Sequence, residues 1–127
     1  CLISGECVET TPFGILDVSA VAAMTGAENI RLDVAMGISE GQRNSAQASV
    51  ELYVDMQGMN EAGKPDSKRI VASDPRGQAH FTALGIVTVV TAMFERPLSG
   101  FVLPENLLNP QAALITMQDA GVVLIQD

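Results

Sequence analysis

The sequence has no tryptophan, one tyrosine and four phenylalanines, so aromatic side chains make up only 4% of its 127 residues. A core without large rings has to be filled by Val, Leu, Ile, Ala and Met. Basic side chains are scarce too: seven Lys and Arg face fifteen Asp and Glu, leaving a formal charge of −8. A chain of that sign repels phosphate backbones and anionic lipid headgroups, so neither nucleic acid nor a membrane is expected as a partner. The one basic cluster, Lys64, Lys68 and Arg69, is interrupted by Asp66 and flanked by turn residues. His80 is the only histidine and Cys1 and Cys7 the only cysteines, too few ligands for an expected metal site.

Long apolar runs are missing as well. The longest uncharged stretch near the middle, Gly77 to Phe94, is too short and too rich in Thr, Gln and His to span a bilayer. No basic start followed by an apolar stretch and a small-residue cleavage site marks a secretory signal. A cytoplasmic location is therefore expected, with Cys1 and Cys7 as two reduced thiols. The chain opens on Cys1 and not Met, which reads as a processed or excised fragment.

What is present is a 47% apolar composition, incompatible with general disorder. The length predicts one domain over 1–127. Area scaling predicts burial of roughly two-thirds of the unfolded surface.

The order of elements follows from periodicity. Thr11 to Gly14 reads as a turn, and Leu16 to Met24 as a short helix with Asp17 or Ser19 near its start and Gly26 as a stop. Ile30, Leu32, Val34, Met36 and Ile38 alternate with other residues and predict a half-buried strand. Ala46 to Gln57 keeps period 2 for twelve residues, a pattern that buries one face only as a strand. Ser39 to Ser45 reads as the hairpin connection between those two. Gly58 to Pro65 is a second turn and Lys68 to Ser73 a third strand, giving a three-stranded meander. After Asp74-Pro75-Arg76-Gly77 breaks the sheet, Gln78 to Phe94 carries β-branched residues that favour a strand. Its length and lack of turn residues after Gly85 favour a helix, which is the reading adopted. That helix is apolar nearly all round and needs two partners: a sheet, and a second domain, a second subunit or other helices. Arg96-Pro97 ends it, and Gly100 to Leu103 is a short extended piece stopped by Pro104. Asn109-Pro110 marks the start of a helix running to Gly121, with Val122 to Ile125 as a final strand or extended tail.

Among the motifs, Gly58 to Pro65 is one residue from a phosphate-binding GxxxxGK[ST] loop. Pro65 replaces the required hydroxyl, Glu61 repels phosphate and the segment joins two strands, so it reads as a hairpin turn. There is no GxGxxG, hence no dinucleotide fingerprint and no cofactor expected in this chain. No serine sits in a nucleophile-elbow context, so His80 reads as a polar residue near a helix start, and no catalytic residue is assigned. Asp74 to Gly77 allows two readings. Asp74 caps the helix start with Arg76 in water, or the free helix N–H groups and Arg76 together attract a carboxylate. On local chemistry, Arg76 and Thr82 are the candidate substrate-binding residues. Glu51, Tyr53 and Asp55 mark the polar face of the central strand.

From about Ile30 onward, three-quarters of the chain, the order of elements resembles the C-terminal domain of the saccharopine dehydrogenase family. The residues that carry the resemblance are Phe81-Thr82-Ala83, Ser99-Gly100-Phe101-Val102-Leu103-Pro104-Glu105, Leu107 to Leu114 with its Asn109-Pro110 start, and Asp119-Ala120-Gly121-Val122. The resemblance implies an α+β unit, a largely antiparallel (mixed) sheet with two or three helices against it. It implies a parent enzyme with an upstream Rossmann domain for NAD(P), missing here, and reversible hydride transfer at a C–N bond of an amino-acid-type substrate. This domain then supplies part of the substrate pocket and much of the contact in a homo-oligomer, and is inactive alone. The rival expectation is a non-catalytic association module; a third is a stand-alone small-molecule-binding domain.

Overall fold

The computed structural model describes residues 1–95 and 99–126. Where one domain is expected, the described chain divides into two units, Cys1–Ile38 and Ser39–Asp127. Each is best taken by itself.

The first unit holds β1 (Thr11–Pro12), α1 (Leu16–Thr25) and β2 (Asp33–Val34), with β1 antiparallel to β2. The helix stops where predicted: Gly26 takes φ 68°, and its N–H returns to the carbonyl of Ala22 at 2.9 Å. Two expectations fail here. Thr11 and Pro12 form a strand rather than a turn, and of the predicted Ile30–Ile38 strand only Asp33 and Val34 enter a ladder. Beyond those two pairs the contact goes on only through Phe13 N–H on the Leu32 carbonyl at 2.9 Å, and β1 is too short to offer Met36 and Ile38 a partner. Met36 and Ile38 stay exposed despite their alternation. The thiols also differ from expectation, because Cys1 and Cys7 are joined in a disulfide. Leu2 donates to the Glu6 carbonyl at 2.7 Å and Gly5 to that of Leu2 at 2.9 Å. That tight turn brings the two Cα atoms to 4.2 Å, a proximity that compartment reasoning does not see.

The second unit is an α+β layer. It runs α2 (Glu40–Arg43), β3 (Val50–Met59), β4 (Pro65–Asp74), α3 (Gln78–Glu95), α4 (Pro104–Leu107), α5 (Pro110–Asp119) and β5 (Val123–Gln126). β3 and β4 pair antiparallel through ten consecutive partners, from Val50 opposite Asp74 to Met59 opposite Pro65. Asn60 builds the turn between them, its Oδ1 accepting from Ala62 at 3.0 Å and Lys64 at 3.1 Å. The near-miss phosphate loop is thus a hairpin, as read. The third strand of the sheet is β5, antiparallel to β4, in the order β3-β4-β5. The predicted meander with Ile30–Ile38 is not formed. Ser39 to Ser45 holds α2 in place of a hairpin loop: Ser39 Oγ accepts from Gln42 N at 3.3 Å while Gln42 Oε1 accepts from Ser39 N at 3.1 Å. That reciprocal cap has the Ser-x-x-Gln spacing of a capping box, which outweighs the polar, loop-like composition of the segment.

α3 adopts the predicted helix; the Arg96-Pro97 break lies outside the described residues. α5 begins as expected, Asn109 Oδ1 accepting from Ala112 N at 3.1 Å with Pro110 at the first position. The one-turn α4 takes up the start of the Pro104 segment. Among the described residues no helix is long and apolar enough to cross a membrane.

The buried core is small: Val71, Leu107 and Val122, with Asp74 beside them. α3 lies against β4, α4 and α5 yet has no buried residue. Ile86, Val87, Val90, Met93 and Phe94 are all exposed, and at about 100° per residue they occupy roughly one third of the helix circumference.

Leu107, 4% exposed, and Phe94, 88% exposed, bracket the energetics. In urea unfolding of the isolated chain, Leu107→Ala is expected to cost about 2–5 kcal/mol. Phe94→Ala is expected to stay within about 0.5 kcal/mol of wild type.

Candidate functional site

The polar groups of greatest interest meet where β4 hands over to α3. β4 ends in Asp74, which is 0% exposed. A β-turn follows, closed by Gly77 N–H on the Asp74 carbonyl at 3.0 Å, and α3 starts with Phe81 N–H on the Gly77 carbonyl at 3.1 Å. Gly77 is required: its φ is 85°, and a Cβ there would stand 2.9 Å from the Ala48 carbonyl oxygen.

Both carboxylate oxygens of Asp74 are used. Oδ1 accepts the Arg76 N–H at 2.9 Å, and Oδ2 meets His80 Nδ1 at 2.5 Å. Burial opposes the charge on Asp74, but the His80 hydrogen bond, the Arg76 N–H and the charges of His80 and Arg76 outweigh it. The pKa therefore lies below the ordinary carboxylate value. An ionised carboxylate only accepts, so the proton of this bond sits on His80 Nδ1. The imidazole is fixed in that tautomer or fully protonated, with Nε2 on its far side. The His80 side chain is 25% exposed, and no hydrogen bond among the described residues engages Nε2. Such a pairing orients an imidazole so that Nε2 can accept from or donate to a ligand.

Arg76 lies exposed on the same turn, one Nη 3.4 Å from where a Cβ on Gly121 would stand. The structure thus gathers Asp74, Arg76 and His80 at one junction. Thr82 is exposed, and helix geometry puts it roughly 160° around α3 from His80, on the side of the apolar stripe. No hydrogen bond among the described residues joins Arg76 to Thr82. Asp74 does not cap an α3 backbone N–H: its carboxylate closes the turn on Arg76 N–H and holds the His80 ring, a partner that neither reading of Asp74 includes. The missed signal was the turn itself: Pro75 and Gly77 fold the chain so that residues six apart in sequence come into contact.

A second polar group fastens α2 to the sheet. Glu51 accepts from Ser49 Oγ at 2.5 Å and Ser73 Oγ at 3.3 Å, and Ser49 Oγ accepts from Gly41 N at 2.7 Å. Further along β3, Arg69 forks onto Asp55 at 2.5 and 2.7 Å and lies over the Tyr53 ring. These are structural contacts of the polar sheet face.

Among the described residues no group of three or more His, Cys, Asp or Glu is placed to hold a metal ion.

Because the Asp74 pKa is depressed on folding, its stabilising contribution is complete above the unfolded value of about 3.9 and declines as pH falls through the lower folded value. Acid titration followed by circular dichroism is expected to show that decline below about pH 4 in wild type and its loss in Asp74→Asn. No known protein family, curated protein or solved structure matches the chain.

Proposed function

We propose that this chain is the substrate-binding and oligomerisation domain of a saccharopine dehydrogenase-like oxidoreductase, one that acts on a C–N bond of an amino-acid-type substrate. The observation that carries this reading is the surface left over. Within the second unit Ile86, Val87, Val90, Met93 and Phe94 form a continuous exposed apolar stripe along α3. Patches larger than a few hundred Å² mark interaction sites. A domain that supports a neighbour and a second subunit has this character; a self-contained binding protein does not.

Arg76 offers a bidentate donor for a substrate carboxylate, and His80, oriented by Asp74, offers a second donor or acceptor close by in the chain. Thr82, at the head of the apolar stripe, belongs to the side that a neighbouring domain covers. NAD(P) belongs to a Rossmann domain of the parent enzyme, so hydride transfer has no step in this chain, which is inactive alone. A cytoplasmic setting is part of the same proposal. The Cys1–Cys7 disulfide weighs against it, so alkylation of freshly lysed cells is informative: two labelled thiols agree with a cytoplasmic protein, none with an oxidising compartment. The rival, a non-catalytic association module, shares the apolar stripe. It differs in having no nucleotide-binding βαβ unit upstream in the parent chain.

Fluorescence titration of the isolated chain with NADPH is expected to show no binding, and micromolar binding would falsify the assignment. NMR titration with glutamate is expected to move the Arg76 Nε–H resonance, and Arg76→Ala to weaken that binding about 10–100-fold. An unchanged affinity removes Arg76 from the site.

A further inference from the structure

The sheet has two edges of unequal kind. β5 is four residues long, whereas β3 presents ten regular residues, Val50–Met59, whose outer side pairs with none of the described strands. Natural edges are blunted by proline, charged side chains, a bulge, brevity or a covering segment. β3 has no Pro and no Lys, its two acids are engaged within the chain, Glu51 by Ser49 and Ser73 and Asp55 by Arg69, and its register with β4 is unbroken over ten pairs, which leaves no bulge. Leu52, Val54 and Met56 are 45%, 42% and 43% exposed. By register they share a face with Ile70 and Ala72 of β4 and Leu124 of β5.

We propose that β3 pairs antiparallel with β3 of a second copy of this chain about a two-fold axis at Val54, joining two sheets into one of six strands. This rests on the association reading above and adds its geometry. Partners across a two-fold axis perpendicular to a sheet lie on the same face, so the axis falls on a residue and not between residues. Centring on Tyr53 sets Glu51 against the partner's Asp55. Centring on Asp55 sets the two copies of that carboxylate against each other, a cost in either case. Centring on Val54 overlaps nine of the ten residues and opposes no like charges. Leu52 meets Met56 of the partner subunit, Val54 meets its own copy, and Glu51 meets Gln57 of the partner subunit. The apolar face then runs unbroken across both sheets.

Sedimentation of the full chain, combined with single cysteines oxidised in the assembled state, tests this, with wild type as the blank because its own cysteines are paired to each other. Val54→Cys is expected to form a covalent dimer, since residues opposed across the axis have Cα atoms about 4.5–5.5 Å apart. Leu52→Cys and Met56→Cys are each expected not to, their own copies lying about 14 Å apart along the strand; mixing the two variants restores the cross-link. Val54→Lys is expected to weaken dimerisation about 10-fold or more without loss of folded signal. A dimer that persists with no Val54→Cys cross-link overturns the edge pairing and leaves association standing. A chain that sediments as a monomer at all concentrations overturns both.

Discussion

Asp74 is the point on which the second unit turns. It is the last residue of β4 and, among the described residues, the one fully buried ionisable group, and it reaches both the backbone of the turn and the first turn of α3 through Arg76 N–H and His80 Nδ1. No side chain of α3 is fully buried, and Phe81, Leu84 and Val89 are half-buried, so its placement against the sheet combines partial hydrophobic contact with the polar anchor at Asp74. A buried carboxylate with two hydrogen bonds is costly to misplace, since removing either partner leaves charge desolvated without compensation. Polar geometry thus adds to packing in setting the direction in which α3 leaves the sheet, and the Gly77 turn with its close approach to the Ala48 carbonyl is part of the same constraint. The same bond fixes the imidazole tautomer, so the group that orients the helix also orients the candidate ligand contact.

The composition explains why polar geometry carries so much. With an aromatic share of 4%, the chain has few side chains long and broad enough to bridge a helix and a sheet. Val, Ala and Thr dominate the middle of α3, and they fill only a thin layer. The result is a core of three large apolar side chains and a helix whose apolar stripe faces outward. Stability in such a unit depends on whatever covers that stripe, and so on protein concentration if the cover is a second copy.

Local chemistry was legible in the sequence wherever one segment decided the outcome. The twelve-residue alternation around Leu52 and Val54 gave β3, Asn109-Pro110 gave the start of α5, and Gly26 and Gly121 gave helix ends. Long-range choices were not legible. The alternation from Ile30 to Ile38 is as clear as that of β3, but a strand needs a partner, and the one that pairs with it, β1, is two residues long. The place beside β4 goes to β5, from the far end of the chain. Periodicity names the buried face of a strand and is silent on its neighbour. Of the site, Arg76 was identified from its charge beside a helix start. Asp74 and His80 were each given a separate, ordinary role because their six-residue spacing has meaning only once the turn is formed.

The large negative charge bears on association in a way the patterning makes specific. At −8, two copies repel at long range, and any contact between them has to keep acids apart or neutralised at short range. On β3 this is arranged within each chain: Asp55 is held by Arg69, and Glu51 accepts from Ser49 and Ser73. Pairing these acids locally lowers the repulsion along the strand and frees the apolar residues on its other face to decide contact. Salt then acts on the long-range term far more than on the short one, since screening at physiological ionic strength reaches about 8 Å. An interface built this way tightens modestly with added salt, the reverse of one held together by opposite charges.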